Sequence, residues 1–549
     1  MTASDATTRY DGIVIGAGHN GLVLANYLAR SGLKILVLER RLRHGGGLST
    51  ESVTLPGFVH NLHSINHFAI TSTPWWRDLG LAAHLAYVTP EVEFAQPHRD
   101  GSALIITSDL RTTLGSLAQF SKRDAESFAR MNPKAELWEE HILLTERYTE
   151  PLPDAERRAL WGSSSLGREF MELTDRMPAE IIKDSFQDDR IRTLLMFKLS
   201  IFGTILFETM FDRSPGGTFV RGFGLRHGYQ LCRGGSWNLA RGLMETYIAA
   251  GGHYRNQSEV GKIVIEGGRA TGVELSTGER LNAGFVASTI GPHRTFLDWV
   301  GEQQLPPSLR ERVRKFRYSQ WGLFGAHYAL KEAPSYTAAR NNPLVNQAQK
   351  YHLGEETVEE IDAQHHAVLA GGFLEKPQFG AGALTVLDPS QAPPGRHTAY
   401  AWQPVPALAD GAAAPIDAVA WEHADRVIDV WREYAPNMTR DNVLATYTYT
   451  PWQYTQELPN MVGGDIFMGA FSGDQVMENH FGYRSEIPGL YMAGSSVHPG
   501  GAISGGPGYI AAGVIVRDLG ARRWWPTIEL ERHAEALKKA TLAAPQPVA

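Results

Sequence analysis

Residues 11–39, DGIVIGAGHNGLVLANYLARSGLKILVLE, constrain the fold of this chain more than any other stretch. They predict a short buried strand, a glycine turn, a helix and a second strand that ends at an acidic residue. Gly16 permits the tight turn, Gly18 lets a pyrophosphate approach the backbone, and Gly21 brings helix and strand together. Glu39 stands at the tip of the second strand, where a carboxylate accepts hydrogen bonds from ribose hydroxyls. The segment therefore predicts a dinucleotide-binding βαβ unit, and the acid disfavours NADP.

A second glycine loop follows the acid and helps to distinguish FAD from NAD. Residues 40–50, RRLRHGGGLST, place a basic run that begins at Arg40 just past the second strand, together with Gly46 and Gly47. A longer dinucleotide needs a second backbone cradle at this place, as in flavoproteins of the glutathione-reductase and amine-oxidase type. The alternative interpretation is an ordinary glycine loop with solvated arginines.

Two distant segments favour FAD. Residues 488–520, PGLYMAGSSVHPGGAISGGPGYIAAGVIVRDLG, predict a strand, a turn at Gly494, a glycine-rich loop and a helix from about Gly508. This layout brings a helix N-terminus and bare backbone amides to an anion or to the edge of a flavin ring. Residues 234–289 predict a helix, a strand that contains Val260, a hairpin and a last strand. The chain thus returns to one nucleotide domain three times.

These motifs resemble those of the phytoene-desaturase-like flavoproteins, within the amine-oxidase and GDP-dissociation-inhibitor superfamily. The motifs are GAGHNGLVLANYLARSGLKILVLER with GGGLST, GGS…L…G leading to SEVGKI, and YMAGSSVHPGGAISGGPG. The last is similar to the branch that holds carotene ketolase-type and related dehydrogenases. The resemblance implies an α/β fold, with a Rossmann-like FAD-binding domain and an inserted mixed α+β substrate domain. It implies FAD contacts from Gly16, Gly18, Gly21, Glu39, Arg40, Gly46, Gly47, Val260, Gly494, Gly501, Ala502 and Ile503.

Because three separate segments contribute to the nucleotide domain, the sequence suggests where the domain boundaries lie. A chain of 549 residues is too long for one core and should form about two domains. Stretches rich in Pro, Ala, Gly and Asn, at residues 333–350 and 388–416, are interpreted as surface connections. We assign an FAD-binding domain to residues 8–70, 234–300 and 455–520, a substrate domain to 71–233 and 301–454, and a C-terminal tail to 521–549.

Composition excludes several classes of protein. The net charge of −7 argues against a nucleic-acid partner. Cys232 is the only cysteine, which excludes disulfides and a redox-active cysteine pair within one chain. The polar first nine residues do not predict a signal peptide. Because no run of about 18 uncharged apolar residues occurs, we expect no membrane span and a cytoplasmic location.

An apolar stretch supplies the candidate substrate contacts. Residues 193–211, TLLMFKLSIFGTILFETMF, are interrupted only by two charged residues. The plainer interpretation is a buried helix, and the alternative is a tunnel wall or a membrane-dipping element. For a lipophilic, isoprenoid or aromatic small molecule, the candidate contacts here are Phe202, Ile205 and Leu206.

Histidines supply further candidates. His60, His63 and His67 are spaced as ligands on one helix face would be, but no acid or cysteine accompanies them, so no metal is expected. His63 is retained as a polar candidate on the substrate side. His498 lies in the loop expected beside the flavin, where it either acts in catalysis by polarising a substrate oxygen or orders the loop.

The tail contains Arg522-Arg523-Trp524-Trp525. Paired arginines and tryptophans suit a membrane interface as well as a protein contact, because both ring systems bury apolar area and keep a polar edge. We favour an oligomer or intrachain contact, while peripheral membrane contact stays open.

The resemblance implies hydride removal by flavin. A positioned C–H bond gives a hydride to flavin N5 while a neighbouring proton leaves, and the electron acceptor is unknown. The leading interpretation is an FAD-dependent desaturase or dehydrogenase that acts on a lipophilic substrate. A flavin amine oxidase is the second, with Trp452 and Tyr454 as candidates for an aromatic pair that faces the flavin. The third is a non-enzymatic binding protein of the GDP-dissociation-inhibitor type, which the intact glycine loops disfavour.

Overall fold

The computed structural model describes residues 9–200, 217, 219–408 and 414–543. Its strands are β1 Tyr10–Ile15, β2 Ile35–Leu38, β3 Thr50–Glu51, β4 His60–Asn61, β5 His67–Phe68, β6 Tyr87–Val88, β7 Val92–Pro97, β8 Ala103–Thr107, β9 Tyr229–Cys232, β10 His253–Arg255, β11 Val260–Glu266, β12 Arg269–Leu275, β13 Arg280–Ser288, β14 Trp321–Leu330, β15 Lys350–Leu353, β16 Phe379–Gly382, β17 His397–Pro406, β18 Val443–Tyr449 and β19 Leu490–Met492.

The α-helices of the described residues are α1 His19–Arg30, α2 Pro74–Asp78, α3 Leu110–Ala118, α4 Lys122–Trp138, α5 Leu144–Glu146, α6 Asp154–Trp161, α7 Ser165–Thr174, α8 Pro178–Ser185, α9 Asp189–Ser200, α10 Val220–Phe223, α11 Trp237–Ala249, α12 Pro307–Lys315, α13 Val358–Leu369, α14 Pro415–Tyr434, α15 Pro451–Glu457, α16 Gly506–Leu519 and α17 Leu530–Ala543. Two π-helical segments cover Glu139–Leu143 and His293–Gly301.

The first sheet has the strand order β10-β2-β1-β13-β12-β11, with β19 beside β13. Strands β10, β2, β1, β13 and β19 are parallel, whereas β11 and β12 add an antiparallel hairpin. All four residues of β2 are buried, as expected for a strand covered on both faces. Helix α1 packs against α11 and α16. The carboxyl ends of the parallel strands meet at one edge, where an α/β sheet binds its ligand.

The predicted βαβ unit is confirmed by β1, α1 and β2. Helix α1 ends at Arg30, and Gly32 follows with a positive φ of 90°, which glycine adopts without strain. Val260 begins β11 and belongs to the predicted hairpin instead of preceding it, and a short strand, β10, comes before it. The chain therefore has the α/β fold with a Rossmann-like domain that the sequence predicts.

The second sheet has the order β18-β14-β17-β16-β15-β7-β8 and is antiparallel except where β7 meets β15. Strand β17 lies inside the sheet and is almost wholly buried. The interpretation of residues 388–416 as a surface connection is therefore wrong. Residues 333–350 also bury Tyr336 and Val345. Composition misled here because small residues such as Ala399 fill the narrow space between packed strands as readily as they form loops.

The tail packs onto helix α1. The Trp524 ring stacks on Tyr27 with a centroid distance of 5.1 Å, and its Nε1–H donates to the Tyr27 carbonyl at 3.1 Å. Trp525 is buried edge-on to the same tyrosine. An intrachain contact therefore occupies these rings. Among the helices that the structure describes, each is too short or too polar to cross a bilayer.

Candidate functional site

A cavity of about 380 Å³ is lined from both sheets. Its nucleotide end is lined by the loops that follow β1 and β2, and its sheet end is lined by residues of β15, β16 and β17. We call the whole space the central cavity. Because it is continuous, a ligand held by the loops of the first sheet can meet a second molecule held against the second sheet.

Two glycine loops lie against each other at the nucleotide end. A β-bridge joins Gly18 to Gly45, and a Cβ on Gly46 would lie 3.2 Å from the Cα of Gly18. Side chains here would fill the space between the loops. A Cβ on Gly21 would clash with the carbonyl oxygen of Gly16, which explains glycine within helix α1. The loops thus present bare backbone at the start of α1, where an anion is favoured.

The carboxylate of Glu39 is held at the same end and is 8% exposed. Its Oε2 accepts a hydrogen bond from Ala17 N at 3.0 Å, and its Oε1 accepts one from Arg41 N at 2.9 Å. Each oxygen keeps a further lone pair that a ribose hydroxyl can use. Arg40 lines the cavity beside it and donates to the carbonyl of Glu457 at 2.8 Å.

The loop before α16 completes the nucleotide end. Helix α16 begins at Gly506, slightly earlier than predicted, and Ala502 has a φ of 74°, which an alanine adopts only where its surroundings hold it. Gly494 is set back from the lining: a Cβ there would clash with the Thr289 carbonyl. Close packing of β19 against the end of β13 explains this glycine, and a contact of Gly494 with the cofactor stays a prediction. The loop lines the cavity through Gly501, Ala502 and Ile503.

His498 lies in the lining and is buried. Its Nε2–H donates to the carbonyl of Glu146 at 2.8 Å, which ties the loop to α5. Burial lowers the pKa of His498. Because Nε2 is occupied, this geometry favours the loop-ordering role over polarisation of a substrate by that atom, and a catalytic role stays a prediction.

One face of the second sheet closes the other end of the cavity. Side chains of β17 and β15 alternate, so that Ala401 and Tyr351 enter the core while their neighbours face the cavity. The ring of Phe197 stacks on His352 at a centroid distance of 4.0 Å. His352 Nε2 lies 2.5 Å from a carboxylate oxygen of Glu355. The cavity-lining residues of the sheet, here called the sheet wall, are Lys350, His352, Phe379, Gly380, Tyr400, Trp402 and Pro404.

Known proteins resemble this chain at two levels. A family model described as NAD(P)-binding Rossmann-like domain matches residues 14–80. A limonene dehydrogenase of Castellaniella defragrans has one subunit that is 30% identical, over 94% of this chain and 96% of that protein. The chain belongs to the phytoene-desaturase-like oxidoreductases. A lycopene-forming phytoene desaturase of a Paracoccus strain is 26% identical over 92% of this chain and 97% of its own length. A putrescine oxidase structure shares the fold, with a TM-score of 0.59 and 15% identity over 94% of this chain and all of that one.

In this phytoene-desaturase-like oxidoreductase, most of the predicted site residues come together. The candidate substrate contacts Phe202, Ile205 and Leu206 lie outside the described residues and stay predictions. Phe197, from the same apolar stretch, lines the cavity at the end of α9. The predicted residues that line the cavity are Gly16, Gly18, Gly21, Glu39, Arg40, Gly46, Gly47, His63, Val260, His498, Gly501, Ala502 and Ile503.

The aromatic pair considered for an amine oxidase lies elsewhere. Trp452 is 48% exposed on α15, and Tyr454 is buried with its hydroxyl donating to the Leu62 carbonyl at 3.4 Å. Both residues are absent from the described cavity lining. Sequence proximity alone left the placement of these two residues open, and their observed placement gives an amine oxidase no support at the cavity.

The three histidines do not share a helix face, because short strands β4 and β5 replace the helix that the spacing suggested. His60 pairs with Thr54, and His67 pairs with Tyr87. His63 alone lines the cavity, and both of its ring nitrogens lack a hydrogen-bond partner in the described structure. Burial lowers its pKa to about 3. Among the described residues, groups of three or more His, Cys, Asp or Glu arranged to hold a metal ion are absent.

The sheet wall was not predicted, because its residues leave only a weak pattern in the sequence. In KYHL, a lysine and a histidine alternate with apolar residues that belong to the core. A lysine at such a position is usually solvated, and the preceding stretch looked like a loop. Trp402 also alternates with core residues, on strand β17, but the prolines that follow it made this stretch look like a loop.

Proposed function

We propose that this oxidoreductase is an FAD-dependent dehydrogenase or desaturase that oxidises a C–H bond of a lipophilic substrate. The observation that carries the proposal is the continuity of the central cavity from the glycine loops and Glu39 to the sheet wall. When bound, FAD supplies a hydride acceptor at flavin N5. The residues present fit this group, because Gly18 and Gly46 leave bare backbone facing each other, a Cβ on Gly46 would crowd Gly18, and a buried carboxylate is kept for a ribose.

Each set of residues then has a task. The first turn of α1 and the second glycine loop bind the pyrophosphate through backbone N–H groups. The sheet wall orients the substrate and keeps water from the reacting bond. Aromatic side chains make up much of the surface at this end, which suits a lipophilic molecule. They are Phe68, Phe197, Tyr229, Phe379, Tyr400, Trp402, Phe467 and Phe471.

Relatives across the whole chain support this proposal, since two of them are named for dehydrogenation of limonene and desaturation of phytoene. The amine-oxidase alternative has the shared fold in its favour, but its candidate aromatic pair lies away from the cavity. A cytoplasmic location stays a prediction.

The proposal is tested on the purified protein. We expect it to be yellow and to release FAD, and neither FMN nor NAD, on denaturation. Under anaerobic conditions, flavin absorbance is followed after addition of limonene, phytoene, geranic acid or putrescine. We expect bleaching by a lipophilic donor and none by putrescine. A colourless protein that cannot be reconstituted with FAD would overturn the proposal, and bleaching by putrescine alone would favour an amine oxidase.

A further inference from the structure

The side chains of one lysine and two arginines lie on two touching aromatic rings inside the central cavity. Phe68 and Tyr229 meet edge to face, with centroids 5.7 Å apart. The Nζ of Lys350 lies 2.9 Å from the Tyr229 centroid, and the guanidinium carbons of Arg147 and Arg221 lie 5.4 and 5.0 Å from the Phe68 centroid. All five residues line the cavity, and together we call them the cation cluster.

Lys350 has an exceptional environment, because it is only 2% exposed and no described carboxylate forms a salt bridge with it. It is surrounded by the aromatic rings of Tyr229 and Phe94, the buried carboxylate of Glu93, the amine of Lys198 and, on its own strand, His352. Glu93 is engaged by the backbone N–H of Tyr229 at 2.9 Å. Burial lowers the pKa of Lys350 well below its ordinary value, with Glu93 opposing this effect. A buried amine without a polar partner is costly unless a ligand supplies one.

Acids that line this end of the cavity already have partners. Glu146 receives two hydrogen bonds from Arg157, at 2.6 and 2.9 Å, and Glu355 is bound to His352. The Nε1–H of Trp402, in the sheet wall, has no acceptor in the described structure. The amine of Lys350 and the indole N–H of Trp402 are thus cavity donors for which the described structure shows no acceptor, and a ligand that brings an acceptor, preferably a charged one, would complement them.

We propose that the cation cluster binds the carboxylate of a lipophilic acid whose hydrocarbon part lies along the sheet wall. The inference rests on the proposed function and specifies its substrate class: an amphipathic acid. Hydrogen bonds from ammonium and guanidinium groups to a carboxylate are strong where water is excluded. The aromatic rings beneath the cations hold them in place and add cation–π attraction.

The first test uses the wild-type protein as purified, with its FAD content measured. Sodium decanoate and decan-1-ol are titrated separately in a calorimeter, because the two probes share a chain length and differ in charge. We expect decanoate to bind at least about tenfold more tightly, which is the effect of one charge-assisted contact. Equal affinities, or a preference for the alcohol, would overturn the proposal. This comparison needs neither a variant nor turnover.

The second test replaces Lys350 by methionine, which keeps the length of the side chain and packs on an aromatic ring. We expect Lys350→Met to lower the affinity for decanoate about tenfold to a hundredfold, to leave that for decan-1-ol unchanged, and to retain FAD. Lys198→Met is the matched control: Lys198 is equally buried, but its Nζ donates to the Gly224 carbonyl at 2.6 Å and it is not in the described lining. Similar losses in both variants would contradict direct contact by Lys350.

Proton uptake provides an independent measurement. A bound carboxylate raises the pKa of Lys350, so binding draws a proton from the buffer. The binding enthalpy of decanoate should therefore vary with the ionisation enthalpy of the buffer in the wild type, and less so in Lys350→Met. The variant could instead lose FAD while it keeps the preference for decanoate. That result would mean that the cation cluster binds the phosphates of FAD and not a substrate carboxylate, and it would overturn the proposal. The purified protein could also contain no FAD and still bind decanoate more tightly than decan-1-ol, with this preference lost in Lys350→Met. That result would support this inference and contradict the proposed function.

Discussion

The nucleotide end of the central cavity is formed mostly by main chain, whereas the sheet end is formed by side chains. At the first, Gly16 to Glu39 come from a single βαβ unit, and the space that they leave depends on missing Cβ atoms. At the second, Phe68, Lys350 and Trp402 are far apart in the chain: Phe68 lies in a small sheet of strands β5, β9 and β6, and the other two lie in the second seven-stranded sheet. A site made of backbone tolerates few substitutions, while a site made of side chains can change its specificity and keep its fold.

Replacing Gly21 by alanine is expected to have the largest effect, because it adds a Cβ to the end of the cavity that is formed by main chain. The new Cβ would clash with the Gly16 carbonyl, so the turn must shift and FAD occupancy should be largely lost. Overpacking of this kind lowers the free energy of unfolding by on the order of 1–3 kcal/mol. FAD content and urea unfolding measure both effects. Gly115→Ala is the control, because Gly115 is an exposed helical glycine without neighbours, and it should stabilise by about 0.5–1 kcal/mol. A Gly21→Ala protein with full flavin content would contradict the role of the turn.

Glu39→Ala is expected to have the next largest effect. Removal of the buried carboxylate takes away the proposed ribose acceptor and the hydrogen bonds to the backbone of residues 17 and 41. FAD affinity should fall by on the order of 1.5–3 kcal/mol, with less effect on turnover per bound flavin. Fluorescence titration of the apoprotein with FAD measures this loss. Glu274→Ala, at an exposed position of β12, should bind FAD as the wild type does. Unchanged affinity in Glu39→Ala would show that FAD does not use this acid.

Trp402→Ala tests the sheet end alone. Losing an apolar wall contact costs about 1–3 kcal/mol, so the affinity for decan-1-ol and for decanoate should both fall about tenfold or more, while FAD stays bound. This pattern differs from the loss of decanoate alone that is expected of Lys350→Met. Trp421, which is 60% exposed on α14, provides the control Trp421→Ala. If Trp402→Ala lost bound FAD as well as affinity for both probes, the two ends of the cavity would not act independently.

The last expected effect concerns pH. His63 is buried and its pKa is lowered from 6.5 to about 3, so the folded protein binds fewer protons here than the unfolded chain between these values. Stability should therefore fall as the pH is lowered from 6.5, by up to about 1.4 kcal/mol per unit for this histidine. His63→Leu should flatten the decline of the melting temperature between pH 6.5 and 4.5, and His253→Leu, at an exposed position, is the control. Parallel curves for the wild type and His63→Leu would mean that this histidine is protonated in the fold.

Sequence patterns predicted the elements whose causes are local. The strand, turn and helix around Gly18 follow from short-range rules, because a tight turn and a helix start depend on neighbouring residues. Strand β17 and the pairing of β15 with β7 have no such local cause. Their residues become buried only when both insertions of the chain contribute to one sheet.

The sequence by itself determined the Rossmann-like unit, its two glycine loops and the acid at the end of β2, because backbone conformation at these positions depends on side chains that are absent or adjacent. Tertiary structure alone decided that Gly494 serves packing and that Trp452 stays at the surface. It also placed Lys350 on the ring of Tyr229 inside the cavity. Such contacts join residues far apart in the chain, and no local pattern encodes which side chains the packing of two sheets will bring together.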